Sequence, residues 1–187
     1  MRKIISLINT YHMLIYSINL GRLTINLHSL EFVIRTFLSI NDIGYEKTAK
    51  LAQNLRTLTI GQEVEENQFT NFDTLNELVE KYNNIVSSSS SYTGLKINNV
   101  FLVGLRDALA HGRAFYIEES PPYKTMLLLK FSDPQKNIPS KKPKVDFQAV
   151  MTDDWLNEKI KWTQNEYMKV VKACKIIEQK NLNKISK

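Results

Sequence analysis

The sequence predicts a mainly α-helical protein with a small β insertion just before its last helix. Three observations carry this expectation. Apolar residues recur at steps of three and four over most of the chain; the period turns strand-like between about 114 and 151; and it becomes helical again from Asp153. A chain of 187 residues can bury one sizeable core, so a single domain over 1–187 is expected.

The first helical pattern runs through Ile4, Leu7, Ile8, Tyr11, Leu14, Ile15 and Ile18. It resumes after Gly21 with Leu23, Leu27, Leu30, Ile34, Phe37 and Leu38, and runs out near "NDIG". A glycine inside a helix costs only about 1 kcal/mol, so one long helix and two shorter ones both fit. Another helix is expected over 46–60, with Leu51, Leu55 and Leu58 as its stripe and Gly61 as its stop. After the polar "QEVEENQ", Asp73 is placed to cap a helix whose buried side is Leu75, Leu78, Val79, Tyr82 and Ile85. "SSSSSYTG" predicts a flexible linker. A helix over 97–111 then stops at Gly112, where a left-handed conformation is expected.

"AFYIEE" and "KTMLLLKF" predict strands flanking the turn-forming "SPPY". "VDFQAV" can add a third, which makes the insertion over about 114–151 a hairpin or a three-stranded sheet. "QKNIPSKKPK" reads as a loop. The C-terminal helix is expected over about 153–180, from Leu156, Ile160, Thr163, Tyr167, Val170, Cys174 and Ile177, with Trp155 and Trp162 as its anchors.

Composition narrows the function classes. Hydrophobic content of 43% and charged content of 24% suit a soluble globular protein. The single Cys174 excludes a disulfide framework and an all-cysteine metal site within one chain, and it reads as a small core residue. The opening "MRKIISLINTYHMLIYSINLG" has no window of 18 apolar residues and no cleavage signal, so an amphipathic helix of a cytoplasmic protein is expected, with no membrane partner. His12 and His28 show no metal-ligand spacing, and no metal or cofactor is expected. Glu31 and Arg35 form an i,i+4 pair that reads as structural. The net charge of +6 is unevenly spread: residues 1–135 hold 13 basic and 13 acidic side chains, and residues 136–187 hold 12 and 6. Such a basic region can attract an RNA or DNA backbone, or simply cover a solvated helix face.

The stretch that carries chemistry is "NNVFLVGLRDALAHGRAF". On a helical wheel, Ile97, Phe101, Gly104 and Ala108 gather on one side, and Arg106, Ala110, Val103, Asp107 and His111 fill the next arc. Arg106 and His111 then stand about 140° apart and flank a small, apolar surface. That surface suits close approach by a second helix, from this chain or from a symmetry-related copy. An arginine can grip a phosphate and stabilise charge growing on its oxygens, and a histidine at a helix C-terminus can transfer protons near neutral pH. In RNA, a base could activate the ribose 2′-hydroxyl against the adjacent phosphate, leaving a 2′,3′-cyclic phosphate with no metal required. Asp107 can orient a ring or guanidinium, or form a local salt bridge. Arg113 can be a second phosphate contact or a plain surface residue. The same residue types also serve helix capping and surface ion pairs.

Arg106, the polar Asp107 and His111, continued as "AHG", resemble the R-x4-6-H signature of the HEPN superfamily. The resemblance is specific over some 15 residues and loose over the rest, where "LHSLEFVIRTFL" and the long last helix are compatible with a HEPN-like antiparallel helical bundle. It implies two kinds of function. One is a metal-independent endoribonuclease of toxin–antitoxin or abortive-infection systems. Such an enzyme acts as a homodimer, with Arg106 and His111 catalytic at the dimer cleft and Asp107 supporting them, and with RNA and an antitoxin or other regulatory protein as partners. The other is a non-catalytic nucleotide-, RNA- or protein-binding regulatory module. In one toxin subgroup a tyrosine two residues after the histidine is adenylylated; Arg113 stands there in this chain, which puts that control mechanism in doubt.

Overall fold

The computed structural model describes residues 2–117, 125–132 and 142–185, so the "SPPY" turn and most of the "QKNIPSKKPK" loop lie outside the described residues, as does the His12 side chain. The elements follow in the order α1 (Arg2–Ile43), α2 (Tyr45–Leu55), α3 (Leu75–Ser87), a 3-10 turn (Ser90–Tyr92), α4 (Asn99–His111), β1 (Arg113–Ile117), β2 (Thr125–Phe131), β3 (Val145–Met151) and α5 (Asp153–Ile185). The protein is mainly α-helical, with a three-stranded antiparallel insertion before its final helix.

Gly21 does not break the first pattern, and α1 continues through it to Ile43. The stop is Gly44, whose φ of 82° is open to a residue without Cβ. α2 is shorter than the expected 46–60. Past Leu55 the N–H groups of Arg56, Thr57 and Leu58 turn to the carbonyls three residues back, and Thr57 Oγ1 donates to Asn54 O. Leu58 is exposed there, so no packing holds the chain in further helical turns.

α3 is capped by Thr74 rather than by Asp73. The Thr74 hydroxyl accepts from Glu77 N, and Glu77 Oε2 accepts from Thr74 N at 2.7 Å, a reciprocal capping box. Asp73 instead accepts from Lys81 at 2.6 Å and from Asn71 at 2.9 Å. The buried stripe of α3 ends on Val86, with Ile85 half-buried.

The chain divides into two compact units, each assembled from distant segments. One combines His28–Asn99 with Gln164–Lys187. Its core includes Phe37, which meets Tyr82 edge-on at 4.8 Å and Tyr92 at 6.2 Å. Tyr92 is buried, so the serine-rich stretch expected as a free linker is folded: its 3-10 turn carries an aromatic ring into the core. Arg35 keeps its structural role. It donates to Glu31, to Asn71 Oδ1 at 2.6 Å and to the carbonyls of Gln68 and Asp73, which ties the 68–73 loop to α1. Cys174 is half-buried, and burial pushes its thiol up to about 11.

The other unit combines Met1–Leu27 with Val100–Thr163 and holds the sheet. The order is β1-β2-β3; Arg113 faces Leu129, Phe115 faces Leu127, and Leu127 in turn faces Val150. One face of the sheet packs inward through Leu128 and Met151 onto Ala108 of α4, with Tyr16, Phe147 and Trp155 at the edge of the cluster. Trp162 stands edge-on to Phe101 at 4.8 Å, so both tryptophans anchor α5 here.

The buried stripe of α5 is Leu156, Ile160, Thr163, Glu166, Val170, Ala173 and Ile177. The expected Tyr167 and Cys174 fall half-buried, because the period places Glu166 and Ala173 inward in their stead. One Glu166 carboxylate oxygen pairs with Lys169 at 2.8 Å, while Oε2 is buried without a hydrogen-bond partner among the described residues. Among the described residues, no helix is long and apolar enough to cross a membrane.

Candidate functional site at the end of α4

α4 buries Leu102, Leu105 and Ala108. The intrachain face is therefore rotated from the one expected through Ile97, Phe101, Gly104 and Ala108. Phe101 and Gly104 lie at its margin, Phe101 against Trp162 and Gly104 3.7 Å, as an ideal Cβ, from Phe147. The rotation leaves the opposite arc open. Val100 is 86% exposed, and Ala110 and His111 are exposed. The Arg106 side chain is 39% exposed.

Gly112 is not left-handed; the described glycines with positive φ are Gly44, Gly61 and Gly94. It continues the helical bonding instead, its N–H donating to Ala108 O at 2.7 Å. Its requirement is space. A Cβ at this position would collide with Ala108 O and lie 2.9 Å from Leu128 Cδ1 and 3.0 Å from Leu129 O. Without a side chain, β1 can start directly against β2 one residue after α4 ends. That close approach puts Arg113 on the sheet opposite Leu129, next in sequence to the helix terminus that carries His111.

Asp107 organises the charges. Its Oδ1 accepts from Arg106 Nη1 and its Oδ2 from Lys130 Nζ, both at 3.2 Å. The structure thus joins Arg106 and Asp107 and adds Lys130, which the sequence did not single out. The Lys130 contact spans 23 residues, and a lysine near a strand end reads locally as solvation. Arg113 is exposed, its guanidinium carbon 5.6 Å from the centre of the Phe131 ring. His111 sits in the last turn of α4. The open arc and the strand start beside it therefore carry guanidinium, imidazole and ammonium groups with one carboxylate among them. Such a set can bind a phosphodiester and move a proton beside it.

Other places in the molecule fit that chemistry less well. A cavity of about 460 Å³ in the other unit is lined by Asp42, Glu66, three side-chain amides, Ser39, Ile43 and Leu51, with no cation to meet a phosphate. Among the described residues, no three His, Cys, Asp or Glu side chains gather as a metal-binding set. His28 is exposed on α1. Comparison with family models, curated proteins and solved structures gave no match.

Proposed function

We propose that the protein is a metal-independent endoribonuclease of the HEPN type, working as a homodimer in a toxin or phage-defence role under a regulatory partner. The observation that carries the reading is the open arc of α4, with Arg106 partly exposed and His111 exposed on either side of small residues. Arg106 would hold the non-bridging oxygens of the scissile phosphate. His111, as the neutral base, would take the proton of the adjacent 2′-hydroxyl; the 2′-oxygen then bonds to phosphorus while the bond to the 5′-oxygen breaks. The leaving oxygen is protonated by the equivalent histidine of a second copy, and the product ends in a 2′,3′-cyclic phosphate. Asp107 would keep the guanidinium positioned, and Arg113 would add a further phosphate contact.

A second reading has its own observation. Asp107 already partners both Arg106 and Lys130, which suits a binding module in which an incoming phosphate trades places with the carboxylate. Cleavage of labelled RNAs in EDTA separates the two, using wild type, His111→Ala and Arg106→Ala proteins of verified fold and oligomeric state. The nuclease reading expects wild-type cleavage to a cyclic phosphate and both variants silent. Equal cleavage by all three would remove the activity from this motif; RNA binding without cleavage would leave the binding module.

A further inference from the structure

Among the described residues, the inner face of the sheet is covered more fully than the outer one. Alternate residues of a strand point to opposite sides. Leu128 and Met151 point inward. The outward side is formed by Arg113 and Phe115 of β1, Leu127, Leu129 and Phe131 of β2 and Gln148 and Val150 of β3, with Thr125 buried at the end away from Arg113, by the register of the strands. Phe115 is 46% exposed, Phe131 36% and Val150 44%. Solvent-facing sheet surfaces are ordinarily polar, so two part-open aromatic rings and a part-open valine on one small sheet offer an apolar surface to a ligand.

Charge selects the ligand. Arg113 lies over the Phe131 ring. Lys142 and Lys144 are exposed where the chain enters β3, and Lys144 N donates to Ser132 Oγ just beyond Phe131. Arg113 on the outward face, together with Lys142 and Lys144 at the start of β3, thus outnumber the one exposed carboxylate of β3, Asp146, at the end nearest α4. Flat rings beside arginine and lysine match unpaired nucleobases on a phosphate backbone, because bases stack on aromatic rings and guanidinium planes while the phosphates take the cations. A duplex, whose bases are stacked on one another, offers no such surface.

We infer that the outer face of the β insertion is a stacking platform for single-stranded RNA, with Phe115 and the Arg113–Phe131 pair holding bases that flank the phosphate delivered to Arg106 and His111. This rests on the ribonuclease reading for its substrate but not for its test. The platform extends the site beyond the α4 motif and requires an unpaired stretch at the cut.

The experiment measures binding rather than cleavage. Single-stranded and duplex RNA oligonucleotides carrying 2-aminopurine are titrated into the full-length His111→Ala protein, with and without Phe115→Leu or Phe131→Leu. Leucine keeps the apolar surface and removes the ring, and Phe131→Trp serves as the rescue. The expected result is quenched 2-aminopurine fluorescence, tighter binding of the single strand, about a tenfold loss of affinity in each leucine variant, and recovery in Phe131→Trp. Unchanged affinity and quenching in both leucine variants would overturn the platform, as would equal binding of duplex or no binding of RNA. A leucine variant that instead shifts the sedimentation coefficient would assign the face to a protein contact and overturn it too. The two readings fail separately: a cleaving protein indifferent to Phe115 and Phe131 loses only the platform, and one that stacks bases without cutting loses only the nuclease.

Discussion

Lys130 Nζ donates to Asp107 Oδ2 at 3.2 Å, so a strand of the insertion reaches the helix that carries Arg106 and His111. Both side chains are less than a third exposed, and each is therefore held more firmly than a typical surface pair. The insertion is bound to the candidate site by charge as well as by the Ala108–Leu128 contact.

A double-mutant cycle with Asp107→Asn and Lys130→Met should give a coupling energy of up to about 1 kcal/mol in urea denaturation, shrinking as salt is added. Asp107→Asn alone should strengthen RNA binding, since Arg106 and Lys130 both lose their competing anion, and the salt dependence of binding should steepen. Weaker RNA binding in Asp107→Asn would mean that the carboxylate orders the cations more than it neutralises them.

Gly112→Ala should destabilise the protein by about 1–3 kcal/mol, because the added methyl collides with Ala108 O and crowds Leu128 and Leu129. Gly21→Ala should do the reverse. It lies inside α1 with nothing within 4 Å of an added Cβ, so a gain of about 0.5–1 kcal/mol is expected. Urea midpoints of the two variants and wild type decide both signs.

The capping box gives a pH dependence. The backbone N–H and hydroxyl of Thr74 hold the Glu77 carboxyl below its ordinary value. A carboxylate lowered in the fold stabilises it above the unfolded value and loses that contribution as pH falls through the folded one. Thr74→Ala should therefore be less stable than wild type at pH 7, with the gap narrowing only in part as pH falls below about 4. The variant keeps the backbone N–H that does most to lower Glu77, and the lost cap bond from Glu77 N to the Thr74 hydroxyl does not depend on pH. Thermal melts across that range test it; a gap that stays constant with pH would place the loss elsewhere.

Cys174 should be a poor nucleophile. With its thiol near 11, about one molecule in a thousand is thiolate at pH 8. Ellman's reagent should react slowly with the native protein and fast in urea. The unfolded thiol ionises near 8.5, so stability should fall between about pH 8.5 and 11, and Cys174→Ala should lose that part of the alkaline decline.

The sequence by itself determined what one element's own period settles: the helices α1 and α5, with the α1 stripe buried from Leu23 to Leu38 but Leu14 and Ile18 exposed, the change of period at the insertion, and the spacing of Arg106, Asp107 and His111. These follow from 3.6- and 2-residue repeats, which are local. Where a partner from elsewhere decides, the local signal misled. Gly112 looked like a left-handed cap, and it is glycine because β2 passes too close for a Cβ. The serines before Tyr92 looked like a linker, but Phe37 gives that ring a place to bury. Asp73 looked like the cap, while Lys81 and Asn71 claim its carboxylate and leave the cap to Thr74. Lys130 and the outward Phe115 and Phe131 carried no local signal at all. Only strand pairing brings Lys130 to α4 and sets Phe115 and Phe131 on the other side of the sheet, because which face of a strand is buried depends on what packs against it, and not on the strand alone.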